Sequence, residues 1–122
     1  MLVSRIAQLG RATVRRAYGD WAHERLTPWA ALLGPLAIRP QQAFAHLSVG
    51  SRMSAADSAL AMDAMELIHM GRVEGICIVS PKCDFIALAT RIQEAGLLAY
   101  GFGPRGTHPA FVATFSEFVL VD

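Results

Sequence analysis

The sequence predicts an α/β protein of three layers, a mostly parallel central sheet flanked by helices. The first observation is a set of short apolar runs of strand length: "GICIVS" (75–80), "LLAYGFG" (97–103) and "EFVLVD" (117–122). Each reads as a strand buried on both faces. The second is what separates them, an amphipathic helix in "DFIALATRIQEAG" (84–96) and a short one in "HPAFVATF" (108–115). Strand, helix, strand, helix, strand implies parallel pairing through crossovers that cover the sheet. The third is composition: 53% hydrophobic residues and a mean hydropathy of +0.36 fit a sheet buried on both faces, or an exposed apolar patch that meets a partner.

The remaining elements follow from local signals. "LVSRIAQL" (2–9) reads as a helix closed by Gly10, and "ATVRRAY" (12–18) as a strand that stops at Gly19-Asp20. "HERLTPWAALLG" (23–34) is helical, with Pro28 opening or kinking it and Gly34-Pro35 closing it. "LAIRP" and "QAFAHLSV" are short extended candidates. Ser54 to Met70 is the clearest helix, with Leu60, Ala61, Ala64, Leu67 and Ile68 on one stripe and Gly71 as its stop.

A chain of 122 residues is predicted to form one domain over 1–122. No apolar run approaches the roughly 20 residues that span a bilayer. The opening "MLVSRIAQLGRATVRR" has no signal-peptide pattern, and the two cysteines are too few for a disulfide scaffold, so a cytoplasmic protein is expected. A net charge of +1 provides no global attraction for nucleic acid. Ten of the eleven cations are Arg, and Lys82 is the sole Lys.

Three carboxylates deserve weight. Ser54-x-x-Asp57 has the spacing of a capping box, and Asp84 opens a helix, where the dipole favours an anion. Parallel strands align their C-terminal ends along one sheet edge, which allows Asp57 and Asp84 to converge there, with Asp20 as a third candidate. Clustered carboxylates are the hard oxygen ligands that Mg²⁺ or Mn²⁺ prefers, and such ions activate water for phosphodiester cleavage. Gly101-x-Gly103-x-x-Gly106 matches a dinucleotide fingerprint, but Pro104 interrupts it and no ribose-binding acid follows, so it reads as a strand-end loop. The four histidines show no ligand spacing, Cys77 reads as a buried strand thiol, and no histidine is placed by sequence to activate Cys83.

"VRRAYGDW", "IRPQQAF", "AADSALAMDAMEL", "GRVEGICIVSPKCDFIALATRIQEAG" and "YGFGPRGTHPAFVATFSEFVLVD" resemble NYN domains of the LabA-like kind, in the PIN-like nuclease group with its Rossmann-like sheet. The similarity runs from about residue 4 to residue 122. It implies a metal-dependent ribonuclease whose aspartates bind Mg²⁺ or Mn²⁺, with RNA as partner. Asp57 matches the aspartate of the family's "KNAADxAL" segment. Ser80 matches the opening serine of "SSDSDF" and Asp84 its second aspartate. Three departures stand against activity. The family's first strand, with its Asp and Asn, is absent; Lys82 replaces the first aspartate of "SSDSDF"; and Met53-Ser54 replaces Lys-Asn.

The resemblance therefore implies Asp57 and Asp84 as catalytic candidates and metal ligands, with Ser54, Ser80 and Lys82 lining the site, and Asp20 stays a third catalytic candidate from its place after the strand. Arg15, Arg16, Arg91 and Arg105 are the candidate RNA contacts. Lys82 is expected to pair with Asp57 or Asp84 and weaken metal binding. An incomplete sheet is expected either to self-associate or to belong to a chain that begins upstream of Met1. The competing reading is a non-catalytic module that binds RNA or protein, or that only dimerises.

Overall fold

A computed structural model of the chain describes residues 2–44, 54–80 and 85–121. The elements in order are α1 (Leu2–Leu9), β1 (Arg16–Gly19), a 3₁₀ turn (Glu24–Leu26), α2 (Thr27–Leu33), β2 (Arg39–Gln42), α3 (Ala55–Met70), β3 (Gly75–Val79), α4 (Ile86–Glu94), β4 (Leu98–Pro104), α5 (Pro109–Thr114) and β5 (Glu117–Val121). The class is α/β and the pairing parallel. Among the described residues the strands form two sheets, β1-β2 and β3-β4-β5, where one was expected. The chain divides into two compact units, residues 1–60 and 61–122.

In the first unit β1 and β2 run parallel, with Arg16 beside Arg39 and Gly19 beside Gln42. The ladder extends at both ends, Arg39 N–H donating to the Arg15 carbonyl and Ala43 N–H to that of Gly19, each at 2.9 Å. Parallel partners need a crossover, and α2 supplies it, with Pro28 in its first turn opening rather than kinking it. Leu33 and Ala43 are buried. The sequence pattern predicts a strand from residue 12, yet regular pairing starts at Arg16. Beyond the Arg15 carbonyl, which Arg39 reaches, residues 12–14 lie ahead of the first residue of β2 in the register. The second extended candidate, 42–49, overlaps β2 only at Gln42, and its residues from 45 onward lie outside the described residues.

In the second unit β4 lies between β3 and β5, parallel to both. A strand paired on both edges and covered by helices must be apolar throughout, and Ala99 to Gly103 of β4 are buried apart from half-buried Tyr100. Phe85, Leu88, Ala89 and Ile92 recur at helical spacing and form the inward stripe that begins just before α4. At the end of α4, Gly96 adopts φ +83°. Its N–H donates to the Gln93 carbonyl at 2.9 Å and that of Leu97 to Ile92 at 3.2 Å, the paired bonds of a glycine-terminated helix. Phe111, Phe115 and Phe118 meet edge-on or tilted, with centroids 4.9 to 5.9 Å apart. The Gln93 side-chain amide donates to the Thr114 carbonyl and ties α4 to the end of α5.

Candidate functional site

Asp57 sits in the first turn of α3 and is 8% exposed, the one buried charged side chain among the described residues. Its N–H donates to Ser54 Oγ at 3.0 Å, and its Oδ2 accepts from the Ser54 N–H at 3.2 Å. The spacing read from sequence is thus a formed capping box, in which two donors of the helix start are satisfied reciprocally. A carboxylate taken out of water is costly unless hydrogen-bonded, and the box provides part of that compensation.

Asp20 follows β1 directly. Its Oδ1 accepts from Ala22 N–H at 3.3 Å, closing an Asx turn, and from Gln42 Nε2 at 2.9 Å. Gln42 Oε1 in turn accepts from Trp21 N–H at 3.1 Å, and Trp21 Nε1 donates to the Gln41 carbonyl at 3.0 Å. The C-terminal rim of the β1–β2 sheet is therefore a polar network of Asp20, Trp21, Gln41 and Gln42. Sequence reasoning found Asp20 and missed the other three. The signal lay in the adjacency of "GDW" and "RPQQ" at the ends of two strands, legible only once those strands are known to pair.

Ser80 directly follows β3, its N–H donating to the Phe102 carbonyl at 3.2 Å. Lys82, Cys83 and Asp84 lie outside the described residues, and with them the convergence of Asp57 with Asp84. Arg15 lies at the other end of β1 from Asp20. Its Nη1 donates to the Leu36 carbonyl at 3.1 Å and its Nε to that of Ala12 at 3.4 Å. Arg91 is exposed on α4, and Arg105 is exposed in the turn after β4. Among the described residues, no three His, Cys, Asp or Glu side chains are grouped to hold a metal ion. The described donors therefore do not make up a Mg²⁺ or Mn²⁺ ligand set by themselves.

Two other motifs resolve into packing. A Cβ at Gly101 would lie 2.5 Å from Phe118 Cδ2, and one at Gly103 would lie 3.0 Å from Phe118 Cζ. These glycines stand inside β4 and make room for an aromatic ring, while Gly106, at φ +92°, turns the chain. Cys77 is half-buried in β3, and burial raises its thiol pKa above the ordinary 9.0, which leaves little thiolate for nucleophilic chemistry. His23 and His108 act as helix caps, their Nδ1 atoms accepting from Arg25 N–H at 3.2 Å and Ala110 N–H at 3.0 Å.

The family model described as NYN domain matches residues 1–122, the whole chain. The chain belongs to the NYN family. NYN domains are generally PIN-like nucleases and typically depend on metal ions, and their substrates point to RNA. The NYN fold seen here is similar to that of a protein of unknown function from Vibrio parahaemolyticus, with a TM-score of 0.81 at 19% identity, covering 99% of this chain and 76% of that one. That likeness concerns the fold alone. No curated protein matches this NYN chain. No helix among its described residues is long and apolar enough to cross a membrane.

Proposed function

We propose that the chain is a single NYN domain of the LabA-like kind and of the ribonuclease type, with an acidic site left incomplete by Lys82. The observation that carries the reading is Asp57, a buried carboxylate held at the start of α3 at the position where the family places an acid. A cap alone is satisfied by an exposed side chain, so the burial of this one fits a charge that serves a site. Asp57 and Asp84 are the residues that would hold Mg²⁺ or Mn²⁺, and Ser54 and Ser80 would line the site. In the family such an ion activates the attacking water. The Lys82 ammonium supplies in part the neutralisation that the ion supplies in active relatives. Asp20 has a weaker claim, because its Oδ1 already serves the turn and Gln42. Arg15, Arg91 and Arg105 are proposed to contact RNA.

A second reading, a degenerate domain that binds RNA without cutting it or that associates with its own copies, is favoured by Lys82, a cation where the family has an acid. The test is labelled single-stranded RNA with Mn²⁺, applied to the natural chain, Lys82→Asp, Asp57→Asn and Asp84→Asn. The ribonuclease reading expects weak cleavage, increased at least tenfold by Lys82→Asp and abolished by either Asn variant. Binding without cleavage in both the natural chain and Lys82→Asp sinks it and supports the second reading. Light scattering reads the association state.

A further inference from the structure

The stretch from Leu26 to Ile38 carries no charged residue, and α2 lies within it. A helix that is apolar on every side belongs in a packed interior, yet Leu33 is the sole buried residue of α2. Nine of the twelve residues 27–38 are exposed. Trp29 is 63% exposed and Leu32 51%, three positions apart and so on one side of the helix. Pro28 and Ala31 stand beside them, also exposed. An aromatic centre free of charge, with arginines only at its margins, has the composition of a protein interface. The charge pattern decides the occupant. A partner with charged side chains at its centre would bury them unpaired against α2, whereas a second copy of the same stretch brings none. The net charge of +1 leaves two copies without long-range repulsion. The margins are complementary as well, with Glu24 ahead of α2 and Arg39 after it, both exposed. In an antiparallel pair of helices the start of one lies along the end of the other, which brings Glu24 toward the partner's Arg39. Arg25, next to Glu24, leaves that margin neutral overall, so no net repulsion opposes the approach.

We propose that α2 is a self-association face, on which a second copy of this chain packs its own α2 antiparallel about a two-fold axis, with Trp29 and Leu32 at the centre. Such a pairing uses the same patch on both copies and closes as a dimer. Nine exposed residues on each side fall short of the roughly 20–30 of a standard interface, so the dimer is weak, with a dissociation constant on the order of 100 µM. The face requires no cleavage by the chain and does not depend on Asp57 or on a metal.

Sedimentation equilibrium from about 10 µM to 1 mM, a range that brackets a weak dimer, would compare the natural chain with Trp29→Ala, Glu24→Arg, Arg39→Glu, the double charge exchange and Met62→Ala. Trp29, Glu24, Arg39 and Met62 are all exposed, and circular dichroism verifies that each variant is folded. A concentration-dependent dimer is expected, weakened about tenfold or more by Trp29→Ala and unchanged by Met62→Ala. Each single charge variant should weaken it about two- to fivefold, and the double exchange should restore it. A natural chain that stays monomeric to the top of the range overturns the proposal. So does a dimer that a folded Trp29→Ala variant leaves intact, which would place association on another surface. Charge losses that merely add in the double variant overturn the antiparallel arrangement. Anionic phosphatidylglycerol vesicles and a 12-nucleotide single-stranded RNA test the other occupants, and Trp29-dependent binding of either by a monomeric chain overturns self-association at this face. The Asp57 and Lys82 cleavage results stand in every case.

Discussion

Ser54 and Asp57 close the start of α3 on each other, Asp57 N–H donating to Ser54 Oγ at 3.0 Å while Asp57 Oδ2 receives the Ser54 N–H at 3.2 Å. Loss of either partner leaves one donor of the helix start unsatisfied. Ser54→Ala is expected to lower unfolding stability by about 1 kcal/mol. The double variant with Asp57→Ala should cost less than the sum of the two singles, because each single already breaks the reciprocal pair. Urea denaturation of the four proteins of the cycle measures this coupling, and strict additivity would show that the two residues act separately.

Gly101 is predicted to tolerate no side chain. An alanine there would place its Cβ 2.5 Å from Phe118 Cδ2 and 3.0 Å from Phe115 Cδ2, inside a packed aromatic cluster. Overpacking of this kind costs about 1–3 kcal/mol. Gly101→Ala should therefore lower the melting temperature, and adding Phe118→Leu should recover part of the loss. If Gly101→Ala melts like the natural chain, the ring does not occupy the space that the glycine leaves.

Phe111 is fully buried and packs edge-on against Phe115 and Phe118. Truncation to Ala should cost about 3–5 kcal/mol through lost burial and the cavity left behind. Met62, which is 73% exposed, serves as the comparison. Met62→Ala should stay within about 0.5 kcal/mol of the natural chain in the same chemical denaturation series.

The Cys77 thiol has its pKa raised by burial from an ordinary value of 9.0. The folded state favours the neutral thiol, so this contribution to stability is complete below the unfolded-state pKa. It is lost as pH rises from there through the folded-state value. Stability should therefore fall above about pH 9 with a steeper slope in the natural chain than in Cys77→Ser. In a Cys83→Ser background, alkylation of Cys77 at pH 8 should be slow when folded and should accelerate on adding denaturant. Equal rates in both conditions would show that the thiol is open to solvent in the fold.

Much of the architecture was readable in advance, for physical reasons that can be assigned residue by residue. The stripe that begins at Phe85 and continues through Leu88, Ala89 and Ile92 marks α4, because burial follows the helical period. Gly71 and Gly96 mark helix ends because both take positive φ, which costs glycine little. The Ser54–Asp57 spacing announces its own capping box. These signals act between neighbours in the chain. The same locality explains the errors: the strand expected from residue 12 depends on a partner that starts only at Arg39, and Cys77, expected to be buried, is only half-buried at its strand position.

The sequence by itself determined the α/β class, the order of the elements, the NYN likeness and the acid at position 57, since each is encoded in short patterns of polarity, capping and spacing. Only the tertiary structure decided that Gln42 reaches Asp20, that Phe118 lies over Gly101, and that Arg16 and Arg39 stand side by side. Those relationships join positions far apart along the chain. They are set by which strands pair and in what register, a choice made by the free energy of the whole packed sheet and not by any local segment.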